Sequence, residues 1–232
     1  MTDGNEKQPL SARINASLSR HRTAIIVVAA ALLLLIAGSV VAFTVSQRRL
    51  ERATATAEQV EALFLDWQAA VDADEAGADG TEALETSLRD AIADITDEFP
   101  RSYAAARAQF ILASVEWQLD AFQAAHDAYL AVADREPDSY LAPIALFNAA
   151  AALEETGDSG GAADLYQRVV DSAVPNVEAP RALFAPGRIA EGENDTELAL
   201  GYYNRLIDEH GGSNWTNLGR NRIIWLNSQG GQ

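Results

Sequence analysis

Cysteine is absent from the 232 residues. That excludes a disulfide framework, a zinc–thiolate site and a thiol nucleophile. It does not indicate a compartment, because a packed helical domain needs no disulfide. Histidine occurs three times. His21 lies beside an apolar segment, and His126 and His210 fall on different predicted helices. None has a metal-ligand partner three or four residues away, the spacing one helix face would need. No local motif joins a histidine base to a serine or acidic nucleophile. The expectation is therefore a protein that is not an enzyme and holds no cofactor and no metal. No stretch alternates at period two, so no sheet is predicted.

Two short motifs come close to chemistry and stop short. Asp72-Ala-Asp74-Glu-Ala-Gly77 begins like a calcium loop, but its fifth position is Ala76 and its twelfth is Ala83. Gly157-Asp-Ser-Gly160-Gly161 is glycine-rich, yet it follows a predicted helix and carries no lysine, so it is no phosphate cradle.

Positive charge is scarce too. The formal net charge is -17. Residues 1–22 carry four cations against two acids, and the residues beyond the apolar segment carry 13 arginines against 32 acids. A domain this acidic repels nucleic acid, whose binding requires phosphates to be neutralised. It is suited to basic or uncharged protein partners.

Long apolar runs are also rare, with one exception. Residues 23–46 (TAIIVVAAALLLLIAGSVVAFTVS) contain no charge. As a helix they span roughly 36 Å at 1.5 Å per residue, against a hydrocarbon core of about 30 Å. A cleaved signal peptide would have a shorter core and a small-x-small exit. This segment runs instead into Gln47-Arg48-Arg49, which favours a retained anchor. Flanking charge is close to a tie, with Arg13, Arg20 and Arg22 on one side and Arg48, Arg49 and Arg52 on the other, so the positive-inside rule alone does not orient it.

An internal period lies beyond the anchor. Two ungapped shifts of 37 residues align Ala105, Ala142, Ala179; Ala108, Ala145, Ala182; Phe110, Phe147, Phe184; Ala113, Ala150, Gly187; Asp120, Gly157, Asn194; Ala125, Ala162, Ala199; Tyr129, Tyr166, Tyr203; Val132, Val169, Leu206; and Asp134, Asp171, Asp208. The Asp, Gly and Asn column holds residue types that tolerate a left-handed turn. The Ala, Tyr and Val/Leu columns follow at i, i+4 and i+7, one face of a helix. Each copy therefore reads as helix–turn–helix, with repeats at about 102–138, 139–175 and 176–212. One unit cannot bury its apolar face alone, so the copies must stack. A helix running straight out of the apolar segment is predicted at 50–75 (stripe Val60, Leu63, Phe64, Trp67, Val71) and another at 82–98 (Leu84, Leu88, Ala91, Ile92, Ile95), with a loop at 76–81. A capping helix is predicted at 214–227, with Trp215, Leu218, Ile223, Ile224 and Trp225.

A small residue, a turn about seven residues later, then alanine, an aromatic four on and an aliphatic three further resembles the tetratricopeptide repeat, usually 34 residues long. Pro137 stands at the closing position of the first copy. Gln109, Leu146 and Leu183 stand where the family's Trp/Leu signature belongs, and Pro186 inside the third copy's first helix should kink or shorten it. The expected fold is all-α: an N-terminal tail (1–22), a transmembrane helix (23–46) and a tetratricopeptide-like α-solenoid of period 37 (47–232). This layout resembles the bacterial ancillary SecYEG translocon subunit family. The resemblance implies a cytoplasmic tail and a periplasmic domain at the bacterial inner membrane, bound to the translocon, to chaperones or to exported chains.

In tetratricopeptide arrays the first helices line a concave groove. Carried over by position, its candidates are Arg107, Phe110, Ser114 and Trp117; Ile144, Phe147, Ala151 and Glu154; and Arg181, Phe184, Arg188 and Glu191. The repeated phenylalanine reads either as an anchor for an apolar or helical peptide or as core packing between units. The expected function is a membrane-anchored scaffold or co-chaperone. Two alternatives stand beside it: an envelope or division protein that self-associates through the solenoid, and a cytoplasm-facing tethered adaptor. The oligomeric state is not set by these residues.

Overall fold

The computed structural model describes residues 22–73, 77–175 and 177–229. The predicted tail, up to His21, lies outside them. The described residues form nine α-helices and no strand: α1 Arg22–Ala73, α2 Gly77–Glu98, α3 Tyr103–Gln118, α4 Phe122–Arg135, α5 Leu141–Thr156, α6 Ser159–Val170, α7 Ala179–Gly192, α8 Thr196–Glu209 and α9 Asn214–Gln229. The chain divides into two compact units, 1–52 and 53–232.

The first unit holds most of α1. This is the one described helix long and apolar enough to cross a membrane. Its most apolar 18-residue window has a mean hydropathy of 3.0, and none of that window is buried. The predicted apolar segment 23–46 and the helix expected to run straight on from it, 50–75, form this single helix of 52 residues. Gln47-Arg48-Arg49 and the Ala/Thr/Glu residues that follow include no glycine or proline, so nothing stops the backbone ladder. The predicted loop at 76–81 is likewise helical from Gly77 onward. Gly77 and Gly80 fall in the first turn of α2, and a cost of about 1 kcal/mol each relative to alanine does not prevent the helix from starting there.

In the second unit each helix from α2 to α9 packs on the next in sequence, and α9 also reaches α7. Ala53, Ala57, Val60 and Trp67 of α1 form one core with Leu88, Ile92 and Ile95 of α2 and Ala108 and Val115 of α3. Val71, expected in that stripe, is 41% exposed. Three helical hairpins follow: α3–α4, α5–α6 and α7–α8. Between the helices of each stands a residue in the left-handed region, Asp120 (φ 56), Gly157 (φ 86) and Asn194 (φ 63). At all three the next amide reaches back five residues, to Glu116, Leu153 and Ala190, at 2.9, 3.0 and 2.8 Å. This double-bonded turn satisfies carbonyls that the helix end would leave open. Asp158 and Asp195 then cap the second helices by accepting from the amides of Gly161 and Leu198 at 2.9 and 3.0 Å. Ala121 holds the same place in the first hairpin and makes no side-chain cap.

The small columns allow close approach. Ala113, Ala150, Ala125, Ala162 and Ala199 are fully buried. A Cβ at Gly187 would lie 2.6 Å from Cε1 of Tyr203, so only glycine fits where α7 meets α8. Helix α7 runs through Pro186 and has 14 residues, against 16 in α3 and α5.

Candidate protein-binding groove

The first helices of the hairpins carry the candidate groove, and their rings are tied to the second helices. Phe110 meets Tyr129 at 5.0 Å between ring centroids, Phe147 meets Tyr166 at 5.0 Å, and Phe184 meets Tyr203 at 5.3 Å. Phe147 is only 3% exposed and belongs to the central core. Phe110 and Phe184 are half-buried; Phe110 packs against the same central core and Phe184 against the next one. The phenylalanine column thus spends most of its surface inside the protein.

The polar candidates form links between successive first helices. Glu61 of α1 pairs with Arg107 of α3, Glu154 of α5 with Arg188 of α7, and Glu191 of α7 with Arg222 of α9. Arg222 Nε donates to Glu191 Oε1 at 2.9 Å, and its guanidinium holds the Glu191 carboxyl below the usual carboxylate range. Tyr166 donates its hydroxyl to Glu154 Oε1 at 2.5 Å. Burial, and then the Glu154 carboxylate, push the Tyr166 hydroxyl far above the ordinary tyrosine value. Ser114 Oγ stands 3.0 Å from the Tyr129 hydroxyl and donates to the Phe110 carbonyl at the same distance.

Six of the twelve candidates converge on one cleft of about 360 Å³: Phe147, Ala151, Glu154, Arg181, Phe184 and Arg188. Its wall is completed by Trp215 together with Glu155, Tyr166 and Ala185. The Arg181 guanidinium lies 4.1 Å above the Phe147 ring and 5.8 Å from that of Trp215, a cation–π arrangement that covers Phe147. Arg107 and Phe110 line a second, smaller pocket of about 150 Å³ with Tyr103 and Tyr140. Ser114, Trp117, Ile144 and Glu191 line neither; Trp117 instead meets Phe122 edge-on at 5.3 Å.

Trp215 meets Phe184 at 5.3 Å with the ring planes tilted by 44°, and it is the cleft residue outside the predicted repeats that sequence reasoning missed. It starts a fourth row on α9, with Leu218, Arg222 and Trp225. That row is offset from α7 by 34 residues, as the pairing of Arg222 with Glu191 and of Arg188 with Glu154 shows. A search at the usual repeat length as well as at 37 would have found it. The cleft's size and mixed lining suit one or two side chains of a protein partner.

Residues 144–174 match the tetratricopeptide repeat family model. They cover nearly all of the α5–α6 hairpin, whose first helix supplies Phe147, Ala151 and Glu154 to the cleft. No curated protein matches the chain. The architecture is therefore all-helical and tetratricopeptide-like, a class that serves protein–protein interaction.

Proposed function

We propose that this protein is a membrane-anchored scaffold whose helical hairpins stack as a solenoid of period 37 and dock protein partners in the first-helix groove. Residues 23–46 cross the bacterial inner membrane and residues 47–232 stand in the periplasm. There the protein holds translocon components, chaperones or newly exported chains near an exit site. It works by raising local concentration, without catalysis and without a cofactor. The observation that carries this reading is the cleft on the hairpin that matches the tetratricopeptide repeat, in the same chain as a helix whose most apolar 18-residue window is unburied.

Protease protection tests it. Digestion of the helical domain in intact spheroplasts, with protection in inverted vesicles, is the expected result. Digestion only in inverted vesicles would sink the periplasmic reading and favour a cytoplasm-facing adaptor.

A further inference from the structure

The two ends of the helical array each leave apolar side chains exposed in mid-helix. On α1, Leu65 is 63% exposed; on α9, Ile224 is 68% exposed, and Trp225, with the Arg222 guanidinium 4.5 Å above one face of its ring, is 46% exposed. Exposed apolar residues of the interior hairpins sit at helix ends instead, as Tyr103, Leu119 and Tyr140 do. An interior hairpin is covered by the hairpins on both sides, whereas α1 and α9 have none of the described elements beyond them.

The charges at the two ends are opposite. Asp66, next to Leu65, and Asp72, two turns further on the same face, are exposed. Helix α9 holds Arg220 and Arg222 and no acidic residue, in a domain that is otherwise strongly acidic. Arg222 is engaged by Glu191. Arg220 is exposed, one turn from Ile224, and contacts only Asn217, at 3.4 Å, among the described residues.

We infer that the protein self-associates head to tail, with the α9 face of one copy docking on the α1 face of a second copy. Ile224 and Trp225 cover Leu65, and Arg220 meets Asp66 and Asp72. Pairing α9 with α9 would oppose two Arg220 side chains, and pairing α1 with α1 would oppose the aspartates; like charges at a contact are costly. A contact between two different faces leaves one of each free, so it extends as an open chain and does not stop at a dimer. This inference does not depend on what occupies the groove.

The test is sedimentation velocity on the full chain in detergent micelles over a concentration series. The wild-type particle should grow with concentration past the dimer. Leu65→Lys and Ile224→Asp should each be monomeric alone, because each keeps one intact face and spoils the other. Their equimolar mixture should regain association through the two intact faces. Both positions are exposed, so circular dichroism and melting should match wild type; Arg220→Glu serves as a further variant, expected to weaken association. A wild type that stays monomeric, or that stops at a dimer unaffected by either variant, overturns the inference. So does association by Leu65→Lys alone, which would mean that α9 pairs with α9.

Discussion

In the first hairpin, Tyr129 meets Phe110 at 5.0 Å and its hydroxyl stands 3.0 Å from Ser114 Oγ. In the second, Tyr166 meets Phe147 at the same 5.0 Å, but its hydroxyl donates to Glu154, which Arg188 of the next hairpin also holds. The ring contact is common to both because shape fills the space between two helices. The polar tip differs because it faces the groove, where either neutral or ionic partners can satisfy a hydroxyl. The fold therefore constrains the rings, and the site takes its character from what meets the hydroxyl.

Removing a ring should break both hairpins alike. Tyr166→Ala is expected to cost roughly 3 kcal/mol, read by denaturant unfolding; an unchanged midpoint would contradict the burial of Tyr166. Gly187→Ala should cost about 2 kcal/mol, since the added methyl strikes the Tyr203 ring; the same unfolding experiment reports it.

Removing only the hydroxyl should separate the hairpins. Tyr166→Phe is expected to lose about 1.5 kcal/mol, as a bond to a charged acceptor, and Tyr129→Phe about 1 kcal/mol. Equal losses would erase the distinction. Burial pushes both tyrosines up, with Glu154 adding to the effect at Tyr166. A folded value above the unfolded one of about 10 means that their stabilisation is complete below about pH 10 and is lost as the pH rises further. The melting temperature should therefore fall in strong alkali, and fall less steeply in Tyr166→Phe.

The smallest effect expected is a gain. Asp120→Gly relieves a left-handed backbone where the second hairpin already has Gly157, and should raise stability by under about 1 kcal/mol.

The hairpins were legible because close packing repeats its residue types. The Ala, Tyr and Val/Leu columns are the buried ones, and the Asp, Gly and Asn column is the left-handed one. What was hidden depended on tertiary contacts. Phe147 reads either as an anchor or as core packing, and only the tertiary contacts, Tyr166 on one side and Arg181 over the ring, show it covered. Trp215 joins the cleft because α9 is offset by three residues from the main period. The unbroken run of α1 past Arg48 and Arg49 was legible, since charge marks the edge of an apolar stretch but does not end a helix. Leu218, Ile224 and Trp225 looked like core and are exposed, because helix periodicity identifies an apolar face and says nothing of whether a further helix covers it.

Site-specific photocross-linking in intact cells tests the groove most directly. A cross-linking residue at Arg188, on the cleft wall, is compared with one at Asp164, an exposed position on the second helix α6. Discrete adducts to other proteins from position 188, and few or none from position 164, are the expected result. Equal adducts from both positions, or none from 188, would contradict a partner-binding groove on the first helices.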